Sequence, residues 1–280
     1  MKTVFRLICI FVLCAAMNIA CLAEEGKLTV YFIDVGQADC TIIQCDEGVL
    51  MIDGGNVADS QLIFSLLRNT LGIQHIDYMI ATHPHEDHVG ELAAALNACA
   101  VDILYTPVLD YDTKAFRSMM KYAHAQETAI KIPKPGDSFI VGTARVDILG
   151  PLKTYSNTND LSVICKVTYG QTSFLFGGDA EWEAEHDLVE SGANLNADVL
   201  KINHHGSETS SSYAFLRAVT PTYAIISVGA NNSYGQPSEE VLSRLEDAGA
   251  TIMRTDQLGT IVCRSDGESL LFESETGHMG

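Results

Sequence analysis

Short apolar runs rich in β-branched residues alternate with helical spacings along almost the whole chain. LTVYFIDVG, CTIIQC and VLMIDGG open the series, each closed by glycine or an acidic turn, and they predict adjacent strands. SQLIFSLLRNTLG then places apolar residues at helical spacing, opened by Ser60 as an N-cap and closed by Gly72. HIDYMIATH predicts the next strand and VGELAAALNAC the next helix. The strand DILYTP follows, then a helix from Lys114 to Thr128 and a β-rich zone from Ile130 to Gly150 with PKPGD as a turn. In the second half LSVICKVTYG and QTSFLFGGD predict a hairpin and AEWEAEHDLVESG a helix. ADVLKINHHG, SSYAFLRAVT, YAIISVG, PSEEVLSRLEDAG and ATIMRTD then alternate strand and helix before two last strands, GTIVCRS and SLLFES. The chain has no Pro/Ser linker, low-complexity tract or strict repeat. Helices interleave strands in both halves, which implies an α/β chain with two sheets in contact and helices outside, in one globular domain.

The first 23 residues break this pattern. Lys2 and Arg6 precede an apolar run from Leu7 to Ala20, and Cys21, Leu22 and Ala23 form a small-residue exit before Glu24 and Glu25. That is the anatomy of a signal peptide, so residues 1–23 are expected to be a leader and residues 24–280 the mature domain, secreted or extracytoplasmic. The run is shorter than the roughly 20 apolar residues that span a bilayer, so the mature chain is expected to carry no transmembrane domain, an uncleaved anchor being the alternative. Cys21 leaves lipid attachment open, as a membrane-anchored lipoprotein, although Asn18 fits the expected apolar position poorly.

At 280 residues and 47% apolar composition the chain can bury a large core. Its 17 basic against 36 acidic residues give a formal net charge of −19, which excludes a basic surface that tracks phosphates in the aggregate. An anionic substrate would be drawn by something local, such as bound cations. Beyond the leader the cysteines are Cys40, Cys45, Cys99, Cys165 and Cys263. This odd, scattered set is neither a disulfide framework nor a zinc ribbon. A Cys40–Cys45 pair and buried free thiols both remain open.

The densest chemistry is THPHEDHVG, where His83, His85, Asp87 and His88 follow an apolar strand. Histidines two apart on extended backbone point the same way, so His83 and His85 can bind one cation together. Asp87 and His88 sit where the chain turns into the next helix and can face a second. Nitrogen and carboxylate donors of this kind suit zinc and tolerate manganese or iron. Asp179 ends the apolar strand SFLFGGD, where an isolated carboxylate is costly unless paired. His204 and His205 close DVLKINHH, and strand neighbours point to opposite faces, so one of the two is expected to be a direct ligand. Asp53 in DGG is expected to accept hydrogen bonds from the His-rich turn and orient it.

His-x-His-x-Asp-His at a strand end resembles the signature of the metallo-β-lactamase superfamily. The chain is more narrowly similar to the hydrolase domain of ComEC-type DNA-uptake proteins, from about Val30 to Gly259. The likeness rests on DVGQADC, DGG, THPHEDHVG, TNDLSV, FLFGGD, LKINHHGSETSSS, SVGANNSYGQP and TDQLG. It implies a four-layer αββα sandwich with a two-metal site at one edge between the sheets. It also implies that Asp179 bridges the two cations and that His205, followed by Gly206, is the ligand. His204 would then contact substrate, with the reverse assignment open. Asp160, with Asn159 and Ser162 beside it, could complete the first cation's shell where many members have histidine; a turn held by side-chain-to-backbone hydrogen bonds is the alternative. Gln37 and Asp39 would line the mouth, and Ser207 begins a substrate rim. Ala38 stands where the family usually has Gly, and Gln236 where it commonly has His, which puts a proton donor there in doubt. His75, His124, His186 and His278 match no motif, and Trp182 and the Met119–Met120 pair are expected to pack.

Two divalent ions, Zn2+ or Mn2+, would bring a bridging water toward hydroxide at neutral pH, with Asp87 orienting it and taking its proton. The expected activity is that of an exported phosphodiesterase or nuclease, with nucleic acid among its substrates. A β-lactamase or lactonase acting on rings and a metal-binding protein without turnover are the alternatives.

Overall fold

The strand Thr172–Phe176 is buried at every position, and its alternate side chains enter two different cores. Phe174 and Phe176 point into an apolar layer shared with Phe32, Leu50, Val167 and Cys263, whereas Leu175 packs with Leu188, Leu200, Phe215 and Leu245. The same alternation divides Thr41–Cys45. Ile43 and Cys45 join Phe174, while Ile42 joins Met51, Leu67, Leu92 and Phe116. A strand buried on both faces must be covered on both, so three cores require four layers, helix, sheet, sheet and helix.

The computed structural model describes residues 28–279. The expected leader, with Cys21, lies outside them. One sheet holds β1 (Leu28–Phe32), β2 (Thr41–Cys45), β3 (Gly48–Ile52), β4 (His75–Ile80), β5 (Ala100–Tyr105) and β6 (Ala129–Lys131). The second holds β7 (Ser138–Val141), β8 (Ala144–Gly150), β9 (Ile164–Tyr169), β10 (Thr172–Phe176), β11 (Val199–Lys201), β12 (Tyr223–Ile226) and β13 (Thr251–Arg254). The chain then returns to the first sheet with β14 (Ile261–Ser265), β15 (Leu270–Ser274) and β16 (Gly277–Met279). The spatial orders are β16-β15-β14-β1-β2-β3-β4-β5-β6 and β13-β12-β11-β10-β9-β8-β7. The expected αββα sandwich is therefore observed.

Within each sheet one block is parallel, β3 to β6 in the first and β10 to β13 in the second. Ligand sites in such sheets form beyond the carboxyl ends of the strands. Asp53 follows β3, Thr82 and His83 follow β4, Asp179 follows β10, His204 and His205 follow β11, and Ser227 follows β12.

The structure departs from sequence expectation in four places. The β-rich zone after Ile130 is divided between the sheets, β6 ending the first and β7 and β8 beginning the second. β16 adds an edge strand that its short, polar sequence does not announce. Cys40 and Cys45 are buried and free, so no disulfide joins them. Strand β11 stops at Lys201, and Asn203–Gly206 is a tight turn in which His204 (φ 50°) and His205 (φ 53°) are both left-handed. Among the described residues no helix is long and apolar enough to cross a membrane.

Candidate metal centre

The turn after β4 is held from below by Asp53. Its Oδ1 accepts the Thr82 N–H at 2.8 Å and its Oδ2 accepts the Thr82 hydroxyl at 2.7 Å, while His88 Nδ1 lies 2.8 Å from Oδ2. An imidazole that donates its Nδ1 hydrogen to a carboxylate presents an Nε2 lone pair on its other side. The expected orienting contact of Asp53 is present, and Thr82 shares it.

Asp179 approaches from the second sheet through the GGD turn. Gly178 there is left-handed (φ +54°), and a Cβ on it would meet the Thr82 Cβ at 2.8 Å, so only glycine lets the two turns approach this closely. The Asp179 N–H donates to Ser162 Oγ at 3.0 Å, which fixes the carboxylate's direction. Its Oδ1 lies 3.2 Å from His88 Nε2 and 3.7 Å from His205 Nε2. Asp87 Oδ2 lies 3.5 Å from His205 Nε2 and 3.9 Å from His88 Nε2. Donors bound about 2.1 Å from a tetrahedral cation stand about 3.4 Å apart. These four groups already have that spacing.

His88 Nε2, Asp179 Oδ1 and His205 Nε2 are buried without a hydrogen-bond partner. Three orphaned donor atoms converging on one point fit a divalent ion, which would satisfy all of them. On the other side of Asp179, Oδ2 lies 3.7 Å from both His83 Nε2 and His204 Nε2, and His83 Nε2 is 3.0 Å from His85 Nδ1. The two oxygens of Asp179 thus face two separate histidine groups.

His205 Nδ1 is hydrogen-bonded to the Ser227 carbonyl at 3.0 Å, with Asp39 Oδ1 at 3.3 Å. Because β11 has ended, the strand argument that separates His204 from His205 does not apply, and both rings reach Asp179 from consecutive left-handed residues. His204 is half-buried, and its Nδ1 faces Glu181 Oε1 at 3.2 Å. Left-handed non-glycine residues are costly and gather where geometry is demanded by function.

Other expected residues stand elsewhere. Asp160 does not join the convergent group: its Oδ1 accepts the N–H of Glu181 at 2.8 Å and of Ala184 at 3.4 Å, at the start of the helix Trp182–Glu190. Asn159 donates to Glu181 Oε1 at 2.9 Å. Asp39 is buried beneath the cluster rather than at its mouth. Gln37 Nε2 donates to Gln236 Oε1 at 2.6 Å, and Gln236 Nε2 donates to the His204 carbonyl at 3.2 Å. Gln236 therefore braces the turn that presents His204. Ser207 pairs with Thr209 on the rim at 3.0 Å. His124 and His186 are exposed, and exposed His75 lies 2.9 Å from Asp102. Trp182 is 52% exposed, so the packing expectation fails for it.

Sequence reasoning missed Lys201 and Glu181. A lysine inside the apolar run VLKI was the available signal for the first. The second had none, because the residue it faces is distant in sequence.

The charge state follows from burial against neighbours. Burial opposes the charged form of His88, but the carboxylates of Asp179 and Asp53 overcome it and hold the imidazolium well above its usual range. Burial is likewise outweighed at His205, where Asp179 and Asp39 raise it to about 10. His83 goes the other way, since burial and the neighbouring His88 charge keep it neutral. Asp179 is desolvated, yet His88 and His205 pull it well below the ordinary carboxylate range. Protons on His88 and His205 occupy the electrostatic place of a cation.

Comparison with known proteins agrees with this geometry. The pattern of the metallo-β-lactamase superfamily matches residues 33–230. The chain is 31% identical over 275 residues to ComE operon protein 3 of Bacillus subtilis (strain 168), with 92% of this chain and 35% of that protein covered. It is 29% identical to competence protein ComA of Neisseria gonorrhoeae, with 85% and 32% covered. The chain thus spans about a third of the length of these relatives. The fold is shared with the metallo-β-lactamase fold protein YhfI of Bacillus subtilis, at TM-score 0.54 and 13% identity over 81% of this chain and 96% of that one. Zn2+-bound PqqB of Methylobacterium extorquens aligns at TM-score 0.51 and 15% identity over 78% and 85%. With the fold, the His-rich turn and the superfamily pattern in agreement, the chain belongs to the metallo-β-lactamase superfamily.

Proposed function

We propose that the protein is a two-metal phosphodiesterase, with nucleic acid among its substrates, in a domain of residues 24–280 delivered outside the cytoplasm by the leader at 1–23. The observation that carries the hydrolase reading is the convergence of His88 Nε2, Asp179 Oδ1 and His205 Nε2, buried and unpartnered, beside Asp87. His83, His85 and Asp179 Oδ2 would hold one ion, and Asp87, His88, Asp179 Oδ1 and His205 the other. The phosphodiester part is supported by similarity to proteins named for competence.

Bound divalent ions would supply Lewis acidity and a nucleophile at neutral pH. This chain's residues do the remaining work. Asp87, one-third exposed at the cleft edge, is placed to accept a proton from the attacking group. His204 faces the opening with its ring steadied by Glu181, which Asn157 and Asn159 hold in turn, and it serves the developing charge on substrate. Zn2+ and Mn2+ both suit the donors. Because the net charge is −19, attraction of a phosphodiester falls to the ions themselves.

The test is to load the protein with Zn2+ or Mn2+ and assay bis-para-nitrophenyl phosphate, single-stranded DNA and nitrocefin in parallel, with Asp87→Ala as control. Turnover of the first two, lost in the variant, is expected. Turnover of nitrocefin alone would transfer the reading to ring hydrolysis, and metal at full occupancy without any turnover would end the enzyme reading.

A further inference from the structure

Lys201 ends β11 inside an apolar run and is 3% exposed. A buried ammonium is costly unless closely paired. Its Nζ donates to Asp39 Oδ2 at 2.8 Å and to the Ile202 carbonyl at 3.0 Å. Asp39 belongs to the turn between β1 and β2 in the other sheet and is 5% exposed. The ion pair therefore crosses from one sheet to the other beneath the metal cleft.

Asp39 is also tied to the loops of its own sheet. Its N–H donates to the Asp87 carbonyl at 3.1 Å, and its carbonyl accepts the Gly55 N–H at 2.7 Å. Its Oδ1, otherwise unpartnered, faces His205 Nδ1 at 3.3 Å.

The four convergent donors divide evenly between the sheets: Asp87 and His88 follow β4, while Asp179 and His205 follow β10 and β11. No covalent feature sets the distance between the two halves. Without cations the carboxylates of Asp39, Asp53, Asp87 and Asp179 repel one another across the cleft. Lys201 is the buried ammonium among them.

Resting on the reading of the cluster as a metal centre, we infer that Lys201 is a positioning residue for that centre. Its ion pair with Asp39 fastens the sheets at the cleft floor and holds His205 at ligand distance from Asp87 and His88 before an ion arrives.

The experiment compares wild type, Lys201→Met and the double variant Asp39→Asn/Lys201→Met. It uses Zn2+ competition against a chromophoric chelator, the visible spectrum of the Co2+-loaded protein, and melting of the chelator-treated apoprotein. Zn2+ affinity is expected to fall about 10–100-fold in Lys201→Met with altered Co2+ bands. The double variant is expected to bind no more weakly than the single, because the two residues act as one unit. A lysine of purely structural value would lower the melting temperature and leave Zn2+ affinity and the Co2+ spectrum at wild-type values, which overturns the assignment. If Lys201→Met fails to fold because Asp39 is left as an unpaired buried charge, the double variant, which removes both charges, decides alone by the same criterion. A wild type that binds neither Zn2+ nor Co2+ would sink the metal-centre reading and this inference with it; wild-type binding with unchanged variants would sink only the role of Lys201.

Discussion

His88 Nδ1 stands 2.8 Å from Asp53 Oδ2, both residues buried, so a carboxylate at the end of one strand sets the direction of a histidine at the end of the next. Asp53→Asn keeps the shape and removes the charge that orders the ring and Thr82. Zn2+ affinity, measured by chelator competition, is expected to fall about 10–100-fold while the far-UV circular dichroism is unchanged.

Asp179 and Asp160 are buried carboxylates on neighbouring loops with different partners. Asp179→Asn is expected to abolish stoichiometric binding of two ions by equilibrium dialysis, because its two oxygens face both histidine groups. Asp160→Ala removes the acceptor at the helix N-terminus and is expected to cost about 1 kcal/mol of stability, read by denaturant titration, with metal stoichiometry intact. Loss of an ion in Asp160→Ala would restore it to the ligand set.

Metal uptake is expected to strengthen as pH rises. In the absence of an ion His88 is held above its usual range, and His205 at about 10, so both are protonated at neutral pH and an incoming cation must displace those protons. His83 and His85, lowered by burial, have none to give. Calorimetry in buffers of different ionisation heat is expected to show one binding step that releases protons, its affinity rising up to about tenfold per pH unit for each proton released, and one that is nearly pH-independent.

Glu185 gives stability an opposite pH dependence. Burial raises its carboxyl to about 7, although the amides of Ser211 and Ser212 and the Asn203 side chain favour the ionised form. Its unfolded value is near 4.5. Between those values the folded state holds a proton that the unfolded state has lost, so stability falls as pH rises through the window. The stability of wild type relative to Glu185→Gln is expected to drop by about 2–3 kcal/mol between pH 4.5 and 8, measured by urea unfolding at each pH.

Trp182 is the single tryptophan of the chain and is half exposed, with its N–H donating to the Thr209 carbonyl at 3.1 Å on the Ser207 rim. A base stacked there is worth about 1–3 kcal/mol. Oligothymidylate is expected to quench the intrinsic fluorescence, and Trp182→Ala to raise KM for the oligonucleotide about tenfold. Unchanged fluorescence at saturating oligonucleotide would remove the rim from the nucleic-acid path.

Period-two and helical spacings are local properties, and burial rewards them wherever they occur, so the order of strands and helices and the αββα class were legible along the chain. The His83 to His88 cluster was legible for the same reason, since its donors lie within one turn. Partners far apart in sequence were not. Asp160 and Asp179 are both acids in glycine- or asparagine-rich turns, and only the packing of the two sheets sends one to a helix amide and the other between histidines. His204 and His205 were assigned opposite faces as strand residues, but the backbone leaves the strand at Lys201, and two left-handed residues turn both rings toward one carboxylate. Lys201 and Asp39 are separated by most of the domain and become neighbours only when the sheets close. Distances across the cleft are set by the contact of two independently patterned sheets, and no local spacing encodes them.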